Sequence, residues 1–416
     1  MAAQGRSIDC TGSTSLALGV GFEAPGRLLE SSERLFAIAK AASRGLRLEL
    51  YSRATIRVRA RREAGSRAPI LESGRDEGLA VRTQDRHGRV RFAAVSGIEP
   101  AAVSAALAAA TGSPGVAIEQ PWVTGVPDIL TDVVSGSSPR AEELARWLRA
   151  AVPAGCPAWV EAGHTVETIV ADGGLRAIRA RDRLWAVAIV SRAGEERPRM
   201  VAGRALSELD PAALAPSAVL ETPPIAVRDI RSRLPWIVEP AEASILVKSL
   251  ATALCGPEGS ESVPVGRGFC LEENPQSPLG LAGGAFDDAG FPTRVNLLTI
   301  GGFTARSPLG PGHYRRDSFR DPPQPGFGTL VIADGTDERP EDCILLEGLR
   351  VSHLAADRWT LELAGTWIEQ GRPVRPLAAT SMTTDPVDLV QRFRGAVGPA
   401  RACPNGIATP TLILEL

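Results

Sequence analysis

Histidine, cysteine and paired carboxylates are the side chains here that could hold a metal or move a proton. The chain has four histidines and six cysteines in 416 residues. A hydrolytic zinc site takes about three protein ligands and keeps a position open for water. It also needs a carboxylate to accept the water's proton. His87, His164, His313 and His353 are too far apart in sequence for two of them to share a helical turn. His87 falls in a hairpin, His164 in mid-strand near Glu161 and Glu167, His313 in a Gly-Pro-rich loop beside Tyr314, and His353 after a helix end. Each reads as a structural or surface histidine. His313 is the best placed for a role, because long loops carry function. Asp287 and Asp288 are adjacent carboxylates in a glycine-flanked turn, where aspartate also bonds the local backbone. The glycines at 256–259 and 301–302 lack phosphate-loop spacing.

The elements that must position these residues follow from apolar periodicity. Residues 28–42 are spaced as a helix. The runs 46–50, 56–60, 78–83 and 90–95 alternate as strands, with His87-Gly88 as the turn between the last two. Residues 99–110 form a helix stopped by Gly112 and Pro114. After an amphipathic helix at 140–151, the runs 158–170, 175–180, 184–191 and 200–206 read as an antiparallel meander, turning at Asp172-Gly173-Gly174 and Arg192-Ala193-Gly194. Its edges either offer an extended peptide a strand to pair with or are ordinary edges blunted by arginine. Ile56, Val58 and Ala60 alternate with Arg57, Arg59 and Arg61, which puts three arginines on one strand face. That face is a solvated surface or a groove for an anionic partner.

Farther on come a helix over 241–254, a loop-rich stretch over 255–327 of the kind that is functional or covers an interface, and a helix near 340–349. Strands at 359–363 and 366–369, a helix over 386–393 and a closing strand at 411–414 follow. The fold class is α+β. A partly ordered leader (1–26) precedes an N-terminal α/β unit (27–112). A linker (113–138), a middle antiparallel meander (139–225) and a C-terminal β-rich unit (226–416) complete the chain.

A formal net charge of -2 argues against a general nucleic-acid binder. There is no apolar run of membrane-spanning length, and residues 1–26 lack the apolar core of a signal peptide. Cys10, Cys156, Cys255, Cys270, Cys343 and Cys403 are scattered without a CxxC pair, as free thiols rather than a disulfide framework. A cytoplasmic protein with no nucleic-acid or membrane partner is expected. The basic residues are nearly all arginine; Lys40 and Lys248 are the only lysines.

Five stretches resemble one family. Residues 73–82 (SGRDEGLAVR), continued by Gly88-Arg89 and Phe92-Ala93, place a glycine before an apolar-x-apolar-Arg strand. Residues 286–293 (FDDAGFPT) form an Asp-Asp turn followed by Pro-Thr. The run Pro235-Trp236-Ile237-Val238-Glu239-Pro240 leads into the helix that ends before Cys255-Gly256-Pro257. Residues 365–376 (GTWIEQGRPVRP) pair as strands, and residues 402–412 (ACPNGIATPTL) close on Pro-Thr-Leu. Together these are similar to the TldD/PmbA family of zinc peptidases and lie in the family's order over most of residues 30–416.

The resemblance implies a cytosolic heterodimer that removes leader peptides from ribosomally made antibiotic precursors and cuts unfolded peptides. One subunit, TldD-like, holds zinc with two histidines of an HExxxH helix and a C-terminal cysteine. The other, PmbA- or TldE-like, lacks the motif and helps enclose the site. Here the motif positions read Lys248-Ser249-Leu250-Ala251-Thr252-Ala253, with no histidine or carboxylate, so Lys248, Ser249 and Ala253 mark a degenerate metal site. Cys403 matches the family's cysteine ligand and is either a packing cysteine or a ligand whose partners come from elsewhere. Lys248 either projects into the emptied site, its ammonium replacing part of the zinc charge, or lies on the exposed face. The resemblance implies no cofactor in this chain, zinc in the partner subunit, and two partners: a TldD-like catalytic chain and an extended peptide. A homodimeric peptide-binding or scaffold protein, or an enzyme of repurposed chemistry, is the alternative.

Overall fold

Long alternating runs become long strands when every polar position along them finds a partner. The computed structural model describes residues 25–416 except 44, 113–121, 124–129, 134–138, 193–194, 216–221, 228–229, 231–233, 255–261, 267, 301, 306–308, 310 and 356–357. Almost all of the 1–26 leader and most of the 113–138 linker lie outside the described residues, as do Cys10, Cys255 and the 256–259 glycines.

The first half contains helices α1 (Pro25–Ala42), α2 (Pro100–Gly112) and α3 (Ala141–Ala151). Its strands are β1 (Arg47–Arg62), β2 (Ile70–Gln84), β3 (Val90–Ser96), β4 (Leu130–Val133), β5 (Ala158–Ala171), β6 (Arg176–Arg192) and β7 (Glu195–Gly203). They form one seven-stranded sheet in the order β3-β2-β1-β5-β6-β4, with β7 paired to β6. The runs at 46–50 and 56–60 are two parts of β1, and those at 175–180 and 184–191 are two parts of β6. Strands from 27–112 and 139–225 join through the β1–β5 ladder, in which Ile56 lies opposite His164. Even-numbered positions of the central strands, such as Leu48, Val58, Val160 and Ala186, bury against the three helices. The odd-numbered face turns toward the second half.

The second half opens with β8 (Trp236–Val238) and helix α4 (Pro240–Leu254). Short strands β9 (Leu271–Glu273), β10 (Asn296–Leu297), β11 (Thr299–Ile300), β12 (Phe303–Thr304), β13 (Tyr314–Arg315), β14 (Gln324–Pro325), β15 (Leu330–Ile332) and β16 (Gly335–Thr336) thread the loop-rich stretch. Then come β17 (Cys343–Ala355), β18 (Arg358–Glu369), β19 (Arg372–Pro376), β20 (Thr380–Thr384), helix α5 (Pro386–Gln391), β21 (Phe393–Ala402) and β22 (Ile407–Leu414). Eleven of these strands make one sheet, whose main path is β10-β9-β15-β22-β8-β17-β18-β19. Ala243, Leu246, Val247, Leu250, Ala251 and Leu254 of α4, spaced three and four apart, pack onto it with Trp236, Trp359 and Phe393.

One element differs in type from the sequence reading. The helix expected near 340–349 is the start of strand β17. Ile344, Leu345 and Leu346 pair with β8 in parallel and with β18 in antiparallel register. A strand enclosed in this way reads as a continuous apolar run, which periodicity cannot tell from a buried helix. His353 therefore lies in β17 rather than after a helix; its side chain is outside the described residues.

Candidate functional site

Two polar regions lie between the sheets. The first is built by the Asp-Asp turn. Asp287 Oδ1 accepts the amides of Ala289 and Phe291 at 2.9 Å, and Oδ2 accepts those of Gly312 at 2.8 Å and Tyr314 at 3.1 Å. That one carboxylate ties two loops together. Asp288 crosses to the first sheet. It pairs with Arg179 of β6 and accepts the Arg316 amide at 2.6 Å. Arg179 Nε also donates to Glu167 at 2.6 Å, and Tyr51 Oη donates to the same carboxylate at 2.7 Å. Beside this cluster, Arg82 pairs with Glu49, which accepts Arg316 Nη2 at 2.9 Å, and Arg316 lies 4.5 Å over the Tyr51 ring. Burial alone would raise the Glu167 carboxyl; Arg179, Arg53 and Arg181 override it and hold it well below the usual range. Asp288 is likewise held low, by Arg179 against its burial. These groups are inward-facing and mutually satisfied, so Asp287 and Asp288 are not available to a substrate.

Glycine permits this seam. Gly78 sits under the ring of Phe319, and a Cβ there would overlap it. His313 belongs to the same structural class: it is buried and its Nδ1 bonds Glu273, which also accepts the Gly328 amide at 2.7 Å. His164 Nδ1 meets Asp182 Oδ1 at 2.7 Å on the other sheet face, and His87 is exposed in its turn.

The second region surrounds Cys403. Residues 403–406 are the turn between β21 and β22, closed by Cys403 N to Ile407 O at 2.8 Å and Gly406 N to Cys403 O at 3.1 Å. Gly406 has φ 82°, a conformation that favours glycine. Asn405 Nδ2 donates to Ser244 Oγ at 3.1 Å, and Cys403 Sγ donates to the Pro240 carbonyl at 3.3 Å. The closing turn thus docks on the first turn of α4. Burial, with a smaller push from Glu242, drives the Cys403 thiol up to about 12, against a pull from the Ser244 hydroxyl.

A zinc ligand is a thiolate held with two or three other donors. Here burial favours the neutral thiol, which donates to a carbonyl. Among the described residues no three His, Cys, Asp or Glu side chains come together to hold a metal. The residues present do not fit zinc. Lys248 is exposed, so it does not fill an emptied site. Ser249 Oγ donates to its own helix at Ile245 O, 3.2 Å, and Ala253 is half-buried. These three positions lie about one to two and a half helical turns past Ser244.

Two adjoining cavities flank this turn. One, of about 900 Å³, lies between β7 (Met200, Ala202), Pro240, Glu242, Leu279 and Cys403. The other, of about 470 Å³, shares Met200 and Glu242 and is otherwise walled by Pro198, Ile245, Glu347 and Leu363. Among the described residues strand β7 pairs only with β6, so its far edge is unpaired along the cavities. Sequence reasoning identified the meander edges and Cys403 separately. It missed Met200, Glu242 and Glu347, whose convergence joins residues more than 140 positions apart. Only the Pro-Ala-Glu start of the helix hinted at Glu242.

No protein-family model and no curated protein matches the sequence. Solved structures do. TldE from Thermococcus kodakarensis matches with a TM-score of 0.72 at 16% identity, over 94% of this chain and 99% of that one. A candidate modulator of DNA gyrase from Bacteroides thetaiotaomicron matches at 0.69 and 14% identity, over 93% and 97% of the two chains. Another from Thermotoga maritima matches at 0.67 and 15% identity, over 93% and 98%. At such identities a likeness over nearly the whole chain speaks to architecture, and this protein has the TldD/PmbA fold.

Proposed function

We infer that this chain is the TldE/PmbA-like, non-metal subunit of a two-chain TldD/PmbA-type metallopeptidase. It holds an extended peptide and encloses a zinc site carried by a TldD-like partner, without hydrolysing peptides alone. The observation that carries this reading is the closing turn. Cys403 is docked on α4 with its thiol donating to the Pro240 carbonyl, and among the described residues no set of metal-binding side chains gathers round it. The unpaired edge of β7 beside two cavities supports the peptide: a strand edge supplies sequence-independent backbone hydrogen bonds, and flanking hollows take alternate side chains. An apolar ridge supports the partner chain. Val295, Leu297, Ile300 and Phe303 are 50%, 43%, 57% and 52% exposed within nine residues of the second half, and such patches mark protein interfaces.

The test is co-expression with a TldD-like chain carrying HExxxH, then co-purification and metal analysis. A one-to-one complex with one zinc, and peptidase activity absent from this chain alone, is expected. A chain that binds zinc stoichiometrically and cleaves peptides by itself would sink the proposal. A metal-free homodimer that ignores the TldD-like chain would replace it with a peptide-binding scaffold.

A further inference from the structure

Arg183 lies on the odd-numbered face of β6, beside a run of arginines that are paired with carboxylates. Nearby arginines of the odd-numbered face have carboxylates: Arg53 and Arg179 share Glu167, Arg179 also meets Asp288, and Arg181 lies 3.9 Å from Asp132. Arg183 has no carboxylate partner among the described residues, and its Nε is buried without a hydrogen-bond acceptor. Arg183 is half-buried and feels Glu167 and Asp288 only from outside ion-pair distance. Desolvating a guanidinium without a direct counter-charge is costly, so this position gains from an anion supplied from outside.

The sheet register shows where that anion would enter. Arg57 of β1, Gly163 of β5 and Arg183 of β6 form one rung. The two arginines stand two strand spacings, about 10 Å, apart. Gly163 between them has no side chain, and a Cβ there would find its nearest neighbours at ordinary contact distance: the Arg57 stem at 3.9 Å, the Ile56 carbonyl at 3.9 Å and the Trp185 ring at 4.0 Å. Arg57 is exposed and also lacks a carboxylate partner among the described residues, whereas the next arginine along, Arg59, is neutralised by Glu161 at 2.6 Å. The next rung on the same face runs through Trp185 to Ala202 of β7, which lines the larger cavity. Arg183 therefore sits about 7 Å, one two-residue step, beyond the end of that cavity.

We propose that Arg57 and Arg183 form a carboxylate-binding subsite at the end of the β7 groove. It takes an acidic side chain or the free C-terminus of the extended peptide, and it rests on the groove reading above. Two guanidiniums on either side of a glycine bracket a planar carboxylate, with the Trp185 ring as a side wall.

The test is calorimetric titration of the full chain with three octapeptides of otherwise identical sequence. One is neutral and capped at both ends, one is capped with a central Glu in place of Gln, and one is neutral with a free C-terminal carboxylate. At least one carboxylate peptide should bind about tenfold tighter than the neutral one, and which one does so identifies the source. Arg57→Gln, at an exposed position that folding tolerates, should abolish that advantage and leave the neutral peptide's affinity unchanged. Arg183→Lys should retain part of it. Equal binding of all three peptides, or an advantage that survives Arg57→Gln, overturns the subsite while the groove reading stands. Failure of every peptide to bind overturns both. Tighter binding of a single-stranded oligonucleotide than of either carboxylate peptide overturns the assignment to peptide.

Discussion

The Asp288 seam and the Cys403 groove both place polar groups between the same two sheets, yet they do opposite things with them. At the seam, carboxylate and guanidinium alternate until Arg179, Glu167, Asp288, Glu49, Arg82 and Arg316 each have a partner. At the groove, a strand edge is unpaired among the described residues, two cavities open, and the chemically suggestive thiol donates to a carbonyl. Residue type alone would have ranked the paired aspartates as the better catalytic candidates. Saturation of their bonds removes them, because a buried charge with its partners in place has no capacity left for a ligand.

The seam should break hardest. Asp288→Asn leaves Arg179 with half its counter-charge, and unfolding by denaturant is expected to show a loss of about 3–5 kcal/mol. A loss under about 1 kcal/mol would mean that the seam is held by apolar contacts instead. Acid should act on the same place. Glu167 and Asp288 titrate lower in the folded chain than in the unfolded one. Their stabilisation is therefore complete above about pH 4.5 and is lost as pH falls below about 4. Denaturant midpoints measured between pH 6 and pH 3 should drop, and Asp288→Asn should flatten that drop.

The groove should respond in binding rather than in stability. Met200→Trp fills the wall shared by both cavities. It should weaken an extended peptide about tenfold, with unfolding free energy changed by no more than about 0.5 kcal/mol. A variant that binds peptide as well as the parent would separate the groove from the peptide. Cys403→Ala removes one thiol hydrogen bond and should cost about 1 kcal/mol. It also has a pH signature. The folded thiol titrates near 12 and an unfolded one near 8.5, so its contribution is full below about pH 8.5 and is lost as pH rises toward 12. The alanine variant should lose less stability than the parent over that window. Lys248→Ala, on the exposed face of α4, should change stability by less than about 0.5 kcal/mol, and a larger effect would place Lys248 in an interface.

Local pattern made much of the scaffold legible. Helices α1 to α5 each carry an apolar stripe, a proline start or a glycine stop that neighbouring residues specify, and the long strands of the first sheet alternate throughout. The stretch at 340–349 shows the limit. Ile344, Leu345 and Leu346 are equally compatible with a buried helix, and only pairing with β8 and β18 decides the matter. The site shows a second limit. The sequence contained Cys403, the emptied helix and the alternating arginines of β1, and family resemblance ordered them.

What the sequence by itself determined is therefore the α+β scaffold, the Asp-Asp turn, and a helix over 241–254 that carries no histidine or cysteine. Tertiary structure alone decided that Asp287 and Asp288 are spent on the seam, that Lys248 faces outward, and that Cys403 meets the first turn of α4. It also decided that Met200, Glu242 and Cys403 border one cavity. Backbone propensity acts over a few residues, whereas charge satisfaction and cavity shape depend on partners brought together from 100 or more residues away, and neither exists until the two sheets have packed.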